Sequence, residues 1–161
     1  LVLAAGLSLN DVEEGLKCFS NIKGRLNVKS GIKGATLIDD TYNANPDSMK
    51  AAIDVLARMP APRIFVMGDM GELGEDEAAA MHAEVGAYAR DQGIEAAYFV
   101  GDNSVEAAET FGSDGLWCAA KDPLIQVLSH DLPERATVLV KGSRFMQMEE
   151  VVEALTDKEA V

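Results

Sequence analysis

Residues 35–49 read Ala-Thr-Leu-Ile-Asp-Asp-Thr-Tyr-Asn-Ala-Asn-Pro-Asp-Ser-Met (ATLIDDTYNANPDSM). The apolar run at 35–38 is typical of a buried strand. Pro46 suits the first turn of a helix. The loop between them, 39–45, carries more hydrogen-bonding side chains than a simple reversal of direction needs. This stretch therefore predicts a strand, a loop that holds a ligand, and a helix.

The same unit of strand followed by helix repeats along the chain. Further apolar segments typical of buried strands are 63–67, 96–100, 116–119 and 137–140. Helical segments separate them, at 46–59, 75–92, 104–111, 122–132 and 148–155. A period-two segment at 26–29, followed by glycine turns, predicts one antiparallel hairpin strand. We expect an α/β fold, a three-layer, Rossmann-like, mainly parallel sheet of about six strands with helices on both faces.

The composition limits the possible partners of the chain. Its 161 residues are 48% hydrophobic, which suffices for one domain with a core and a short appended segment. The formal charge of −13 argues against nucleic acid or an anionic membrane surface as a partner, and no apolar run approaches the roughly 20 residues of a membrane span. Cys18 and Cys118 lack metal-ligand spacing, which favours reduced thiols in a cytoplasmic protein.

Ligands of an open parallel sheet bind beyond the carboxyl ends of its strands. The loops predicted at that edge, 39–46, 68–74, 101–103 and 141–144, are rich in polar residues and glycine. The loops predicted at the opposite edge, such as 59–62 and 131–135, look like plain connectors. This asymmetry predicts a binding site at the carboxyl edge.

The loop 39–46 is the strongest candidate. Asn43 and Asn45 each offer a donor and an acceptor, Asp40 offers acceptors, and Tyr42 offers a flat face with a hydroxyl group. These residues could instead merely cap the following helix and close local turns. We favour a ligand site because capping needs only one such residue.

The other loops give weaker signals. The glycines of 68–74 permit close approach to a ligand but do not form a dinucleotide fingerprint. Acids in and after this loop, such as Glu72, are expected at a helix start and need not bind a metal. In 141–144, Lys141 and Arg144 could fix a carboxylate or phosphate beside the Ser143 hydroxyl, or could be ordinary surface charges. We expect His82 to be a partly buried structural residue.

Three motifs resemble the carboxyl-terminal part of the Mur ligase family, ATP-dependent enzymes of peptidoglycan precursor synthesis in the cytoplasm. They are LIDDTYNANPDSM at 37–49, GDMGELGEDE at 68–77 and VKGSRFMQMEEVV at 140–152, in this order and spacing. The resemblance covers essentially the whole chain. The Tyr-Asn-Ala-Asn-Pro motif is typical of the member that joins D-alanyl-D-alanine to UDP-N-acetylmuramoyl-tripeptide through an acyl phosphate.

The resemblance implies a longer protein of three domains with different functions. Residues 1–22 would be the tail of a central ATPase domain, and residues 23–161 the dinucleotide-binding-like third domain. Its partners would be the two substrates and the protein's own amino-terminal and central domains. This agrees with the lack of a phosphate-binding G-x-x-x-x-G-K-[ST] loop. The fragment alone would be inactive, with catalytic residues, Mg²⁺ and most ATP contacts in the missing central domain and no metal ligands here.

The resemblance also implies roles for individual residues. Arg25 would contact the ATP phosphates and Asp40 the ribose hydroxyls. The nucleotide-facing set is Arg25, Asp40, Tyr42, Asn43 and Asn45. The set expected to bind the dipeptide is Gly68, Asp69, Met70, Glu72, Lys141, Ser143 and Arg144.

Two other functions remain open from the sequence. A self-contained nucleotide-binding or regulatory module with a Rossmann-like fold would bind its ligand tightly without further domains. A nicotinamide-dependent oxidoreductase domain is disfavoured, because G-x-G-x-x-G is lacking after the first strand.

Overall fold

The computed structural model describes residues 22–158. Cys18 and residues 1–21 of the predicted tail lie outside this range. The strands are β1 Asn27–Ser30, β2 Thr36–Asp40, β3 Arg63–Gly68, β4 Ala96–Val100, β5 Gly115–Cys118 and β6 Thr137–Lys141. The α-helices are α1 Pro46–Ala57, α2 Glu75–Asp91, α3 Ser104–Phe111, α4 Lys121–Asp131 and α5 Glu149–Leu155, and two short 3-10 helices span Ile32–Gly34 and Arg144–Met146. The predicted strands and helices within 22–158 are all confirmed, with small shifts at their ends.

The six strands form one sheet in the order β1-β2-β6-β3-β4-β5. β1 pairs antiparallel with β2, and the other pairs of neighbours are parallel. The three-layer, mainly parallel fold with one antiparallel strand is therefore confirmed. None of the described helices is both long and apolar enough to cross a membrane.

Alternation along the central strands builds two cores. Phe65, Phe99 and Leu139 belong to one apolar cluster, together with residues of α1, α2 and α3. Val66 and Val138 belong to the other, which includes residues of α4 and α5. Helices on both faces explain why β3 and β6 read as continuous apolar runs in the sequence.

The sheet order brings three loops together. β6 lies between β2 and β3, and all three strands run in the same direction. Their following loops, 41–45, 142–148 and 69–74, therefore meet at the carboxyl edge of the sheet, where open α/β folds bind ligands.

At the amino edge of the sheet, Arg63 joins several elements through its guanidinium. Its guanidinium forms an ion pair with Glu95 at 2.7 Å and donates to the carbonyl oxygens of Ala57 and Gly93. The hydrogen bond from Arg63 lowers the pKa of Glu95 below its ordinary value. This contact joins the ends of α1 and α2 to the sheet, which fits the connector role expected for this edge.

Close packing of α2 on α3 makes Gly86 a test of the fold. A Cβ atom at Gly86 would lie 2.1 Å from the carbonyl oxygen of Ala107 and 2.6 Å from Thr110 Oγ1. We expect Gly86→Ala to lower the free energy of unfolding by about 1–3 kcal/mol, although alanine favours a helix. Urea denaturation of this chain measures the change. Gly74→Ala is the control for added volume, because its Cβ would have no neighbour closer than 4.0 Å and its cost is limited to a poorer N-cap of α2. A Gly86→Ala variant as stable as the wild type would contradict the packing described here.

Candidate functional site

A cleft of about 450 Å³ lies at the carboxyl edge, between the loop after β2 and helix α1. Its polar lining contains Arg25, Asp40, Tyr42, Asn43, Asn45, Ser48 and Lys141. Leu26, Ala44, Ala51, Ala52 and Val55 supply the apolar wall. The five residues predicted to face a nucleotide thus come together in one cleft.

Lys141 is buried and Asp40 half-buried where the two form an ion pair inside this cleft. Lys141 Nζ lies 2.6 Å from Asp40 Oδ2 and also donates to the carbonyl oxygen of Asn43 at 2.8 Å. Asp40 Oδ1 accepts the backbone N–H of Leu26 at 3.2 Å. The two residues stand opposite each other at the ends of β2 and β6. Lys141, which was predicted among the dipeptide residues, is only 3% exposed and lies on the Asp40 side.

Arg25 stacks on Tyr42 at the mouth of the cleft. The guanidinium carbon lies 4.5 Å from the ring centroid, within the range of a cation–π contact. The backbone N–H of Tyr42 donates to the carbonyl oxygen of Gly24 at 2.9 Å, which fixes the turn that carries Arg25. Tyr42 remains 46% exposed. The pair therefore offers a flat aromatic surface and a positive charge to a ligand.

The two asparagines of the loop do different things. Asn45 Oδ1 accepts the backbone N–H of Ser48 at 2.8 Å, and Ser48 Oγ accepts the backbone N–H of Asn45 at 3.0 Å. This capping box starts α1, so capping, the alternative weighed from the sequence, does apply to Asn45. The exposed side chain of Asn43 makes no hydrogen bond to any described residue. Its amide is available to a ligand.

Ser143 connects the three loops of the carboxyl edge. Its Oγ accepts the backbone N–H of Gly71 at 2.6 Å and donates to the carbonyl oxygen of Ala44 at 3.3 Å. Its backbone N–H donates to the carbonyl oxygen of Asp69 at 3.0 Å. Because Ser143 is buried, its hydroxyl holds loops in place and does not face solvent.

Asp69 is also occupied by contacts within the fold. Its carboxylate accepts the backbone N–H of Asn103 at 3.1 Å, and the N–H and hydroxyl of Ser104 at 2.8 and 2.6 Å. It thereby satisfies backbone donors at the start of α3. Asp69 serves as a structural anchor between the end of β3 and that helix.

His82 holds the backbone of Met70, the residue that follows Asp69. Its Nε2 accepts the backbone N–H of Met70 at 2.9 Å, and its Nδ1 lies 2.7 Å from the carbonyl oxygen of Ala78. These partners assign the ring proton to Nδ1 in a neutral imidazole. His82 is a structural histidine, as expected, but it is fully buried where partial burial was predicted.

Burial separates the residues predicted to bind a dipeptide. Glu72 and Arg144 are exposed, and the others are buried: Gly68, Asp69, Met70, Lys141 and Ser143. The structure thus brings the predicted set together at one edge but leaves few of its side chains open to a ligand.

A second pocket of about 270 Å³ contains Arg144 and a residue that the sequence did not single out, Glu149. Arg144 Nη2 lies 2.7 Å from Glu149 Oε1. Burial alone would raise the pKa of Glu149, but the hydrogen bond from Arg144 lowers it below its ordinary value. Tyr42 borders this pocket as well as the cleft. Glu149 was missed because an acid at a helix start is expected for other reasons.

Comparison with known proteins identifies relatives of the chain. A family model described as the Mur ligase glutamate ligase domain matches residues 24–144. The UDP-N-acetylmuramoyl-tripeptide–D-alanyl-D-alanine ligase of Escherichia coli is 42% identical over 159 residues, which cover 98% of this chain and 35% of that enzyme. The enzyme of the same name from Haemophilus influenzae is 39% identical over 162 residues, with 98% and 35% covered.

Solved structures agree with these relatives. A crystal structure of MurF from Acinetobacter baumannii superposes with a TM-score of 0.82 at 34% identity, over 94% of this chain and 34% of that one. MurF ligase from Thermotoga maritima in complex with ADP gives a TM-score of 0.80 at 25% identity, over 95% and 34%. The chain spans about a third of the length of these relatives.

The different contacts of Asn43 and Asn45 lead to a stability test. Asn45→Ala removes the cap of α1, so we expect it to lower the free energy of unfolding by about 1 kcal/mol. Asn43→Ala removes a side chain without protein partners among the described residues, so we expect a change within about 0.5 kcal/mol. Urea denaturation of this chain at pH 7 measures both. A larger loss for Asn43→Ala than for Asn45→Ala would contradict the assignment of the cap.

Proposed function

The chain belongs to the Mur ligase family, and we propose that it is the carboxyl-terminal domain of a longer ATP-dependent ligase. That enzyme joins D-alanyl-D-alanine to UDP-N-acetylmuramoyl-tripeptide in peptidoglycan precursor synthesis in the cytoplasm. Residues 23–161 form this domain, and residues 1–22 are the tail of a preceding ATPase domain. The observation that carries the proposal is the cleft with Arg25, Tyr42 and Asp40, in a chain that aligns over 98% of its length with an enzyme of this name.

The proposed reaction has two steps. The tripeptide carboxylate attacks the γ-phosphorus of ATP, which yields an acyl phosphate and ADP. The free amine of D-alanyl-D-alanine then attacks the acyl carbon, the C–O bond to phosphate breaks, and the nitrogen loses a proton as the amide forms. Both steps need excluded water and a positioned nucleophile, which this domain would provide by closing against the preceding ATPase domain.

The cleft residues suit a nucleotide. Arg25 supplies a guanidinium for phosphate oxygens, whose charge it stabilises. Each Asp40 oxygen accepts one hydrogen bond in the structure and keeps a second lone pair for a ribose hydroxyl. Tyr42 supplies a flat face, and Asn43 supplies an amide with free donors and acceptors. The structure of the Thermotoga maritima relative is described as a complex with ADP, which supports a nucleotide as a ligand of the longer ligase.

We propose that the Mg²⁺ of the reaction is bound mainly outside this domain. Within residues 22–158, no group of three or more histidine, cysteine, aspartate or glutamate side chains is placed to hold a metal ion. In this proposal Mg²⁺, the phosphate-binding loop and the catalytic residues belong to the central domain that the family resemblance implies. The contribution of this domain is to bind and position.

Arg144 is the best candidate for binding the dipeptide. Its side chain is 60% exposed, and one of its nitrogen atoms is held by Glu149 while the fork keeps further donors for a carboxylate. Three buried residues of the predicted set have a structural role at this edge: Asp69, Ser143 and Lys141. Their polar groups are already bonded to other parts of the domain. In this proposal they position the loops that Arg144 and Glu72 extend from.

The nucleotide role is tested by kinetics of the longer ligase. We expect Arg25→Ala to lower kcat/KM for ATP by about 100-fold, because a donor to developing phosphate charge is lost. Arg25→Lys should recover part of this, and Asn43→Ala should raise KM for ATP without loss of stability. Val28→Ala is the control, since Val28 is 68% exposed on β1 and does not line the cleft. Unchanged ATP kinetics in Arg25→Ala would rule out the assignment, and tight ATP binding by this chain alone would favour the self-contained module.

The dipeptide role is tested by amide NMR titration of this chain with D-alanyl-D-alanine, using L-alanyl-L-alanine as the control. We expect shifts at residues 68–74 and 141–144 that only the D,D isomer causes and that Arg144→Ala abolishes. If the site forms only on domain closure, the shifts will require the longer ligase with ATP. No selective shift in either protein would remove the dipeptide assignment.

A further inference from the structure

We propose that a buried contact between Asp39 and Thr41 sets the positions of Arg25 and Tyr42 in the cleft. The proposal rests on the nucleotide role proposed above and adds two positioning residues to it. Asp39 is 1% exposed and does not line the cleft, so it cannot touch a ligand there. It acts through Thr41.

Asp39 and Asp40 are consecutive residues of β2 with separate partners. Successive side chains of a strand point to opposite faces of the sheet. Asp40 meets Lys141 in the cleft. Asp39 Oδ2 accepts from Lys29 Nζ at 2.8 Å, and its Oδ1 accepts the Thr41 hydroxyl at 2.7 Å and the Thr41 backbone N–H at 3.3 Å. The two adjacent carboxylates thus fix the two sides of the strand end.

Thr41 packs closely against the turn at Gly24, so its position affects that turn. A Cβ atom on Gly24 would lie 3.1 Å from Thr41 Oγ1 and 3.0 Å from the backbone nitrogen of Tyr42. Gly24 also has a φ of +75°, which other residues rarely adopt. The turn therefore rests directly on the Thr41 hydroxyl and on the backbone of Tyr42.

Arg25 follows this turn, and its guanidinium lies over the Tyr42 ring. The backbone hydrogen bond from Tyr42 to Gly24 closes the arrangement. A rotation of Thr41 away from Asp39 would move both the turn and the loop, and hence the cation and the aromatic face together. Small displacements of positioning groups have large effects on binding and rate.

The two oxygens of Asp39 have separable roles. Oδ2 pairs with Lys29, which joins β1 to β2 and contributes to stability. Oδ1 orients Thr41, which determines the geometry of the cleft. If Asp39 were purely structural, loss of its contact with Lys29 would raise KM for ATP at least as much as loss of its contact with Thr41. If Asp39 positions the cleft residues, loss of the Thr41 contact raises KM for ATP more than loss of the Lys29 contact does.

The experiment compares Thr41→Val, Thr41→Ser, Asp39→Asn and Lys29→Met in the longer ligase. We expect Thr41→Val and Asp39→Asn to raise KM for ATP about tenfold, a larger factor than for KM of D-alanyl-D-alanine, because Arg25 lines only the cleft whereas Thr41 and Tyr42 also border the second pocket. Thr41→Ser keeps the hydroxyl and should restore the wild-type KM for ATP. Lys29→Met should lower the melting temperature but keep KM for ATP close to wild type. In NMR spectra of this chain, Thr41→Val should shift the amides of Arg25 and Tyr42 more than Lys29→Met does.

Each other outcome decides against the inference or against its premise. A wild-type KM for ATP in Thr41→Val, or an equal rise in Lys29→Met, would overturn the positioning role. Thr41→Val decides the matter even if Asp39→Asn does not fold, because valine nearly preserves the shape of threonine. A wild-type longer ligase that does not use ATP would overturn the proposed function instead, and the NMR comparison would still test the contact.

Discussion

The ion pair between Asp40 and Lys141 joins the carboxyl ends of the neighbouring strands β2 and β6, where the chain passes from each strand into a loop of the site. Removal of Asp40 would leave the buried Lys141 without its counter-charge, and removing one partner of a fully buried pair costs about 3–5 kcal/mol, which is an upper bound here. The same lysine binds the carbonyl oxygen of Asn43, and the same aspartate binds the backbone of Leu26. The cleft therefore depends on this pair for its floor and for the course of two loops.

The fold followed from local patterns in the sequence. Apolar runs bounded by glycine, proline and capping residues alternate with helical periodicity, and each signal depends on residues near one another in the chain. The site was harder to predict, because it depends on contacts between distant residues. Whether Lys141 would face the loop after β2 or the loop after β3 depends on the strand order, in which β6 lies between them. That order is a property of the folded sheet.

The roles of individual polar residues were least predictable. Asn43 and Asn45 have the same side chain two positions apart, and only the geometry around Ser48 assigns the cap to one of them. Asp69 and Ser143 stand in glycine-containing loops typical of ligand sites, yet their hydrogen bonds are made within the fold. A sequence motif indicates that polar groups are needed at an edge. It does not separate those that touch a ligand from those that hold the edge rigid.

Tyr42 forms part of the wall of two pockets, the cleft beside Asp40 and the smaller pocket beside Arg144 and Glu149. One side chain therefore takes part in the free energy of occupying either of them. If a molecule in one pocket displaces the ring, the affinity of the other pocket changes by some factor, and thermodynamic reciprocity requires the same factor in the reverse direction. Binding in the two pockets would then be coupled through one aromatic ring, without any change in the sheet beneath it.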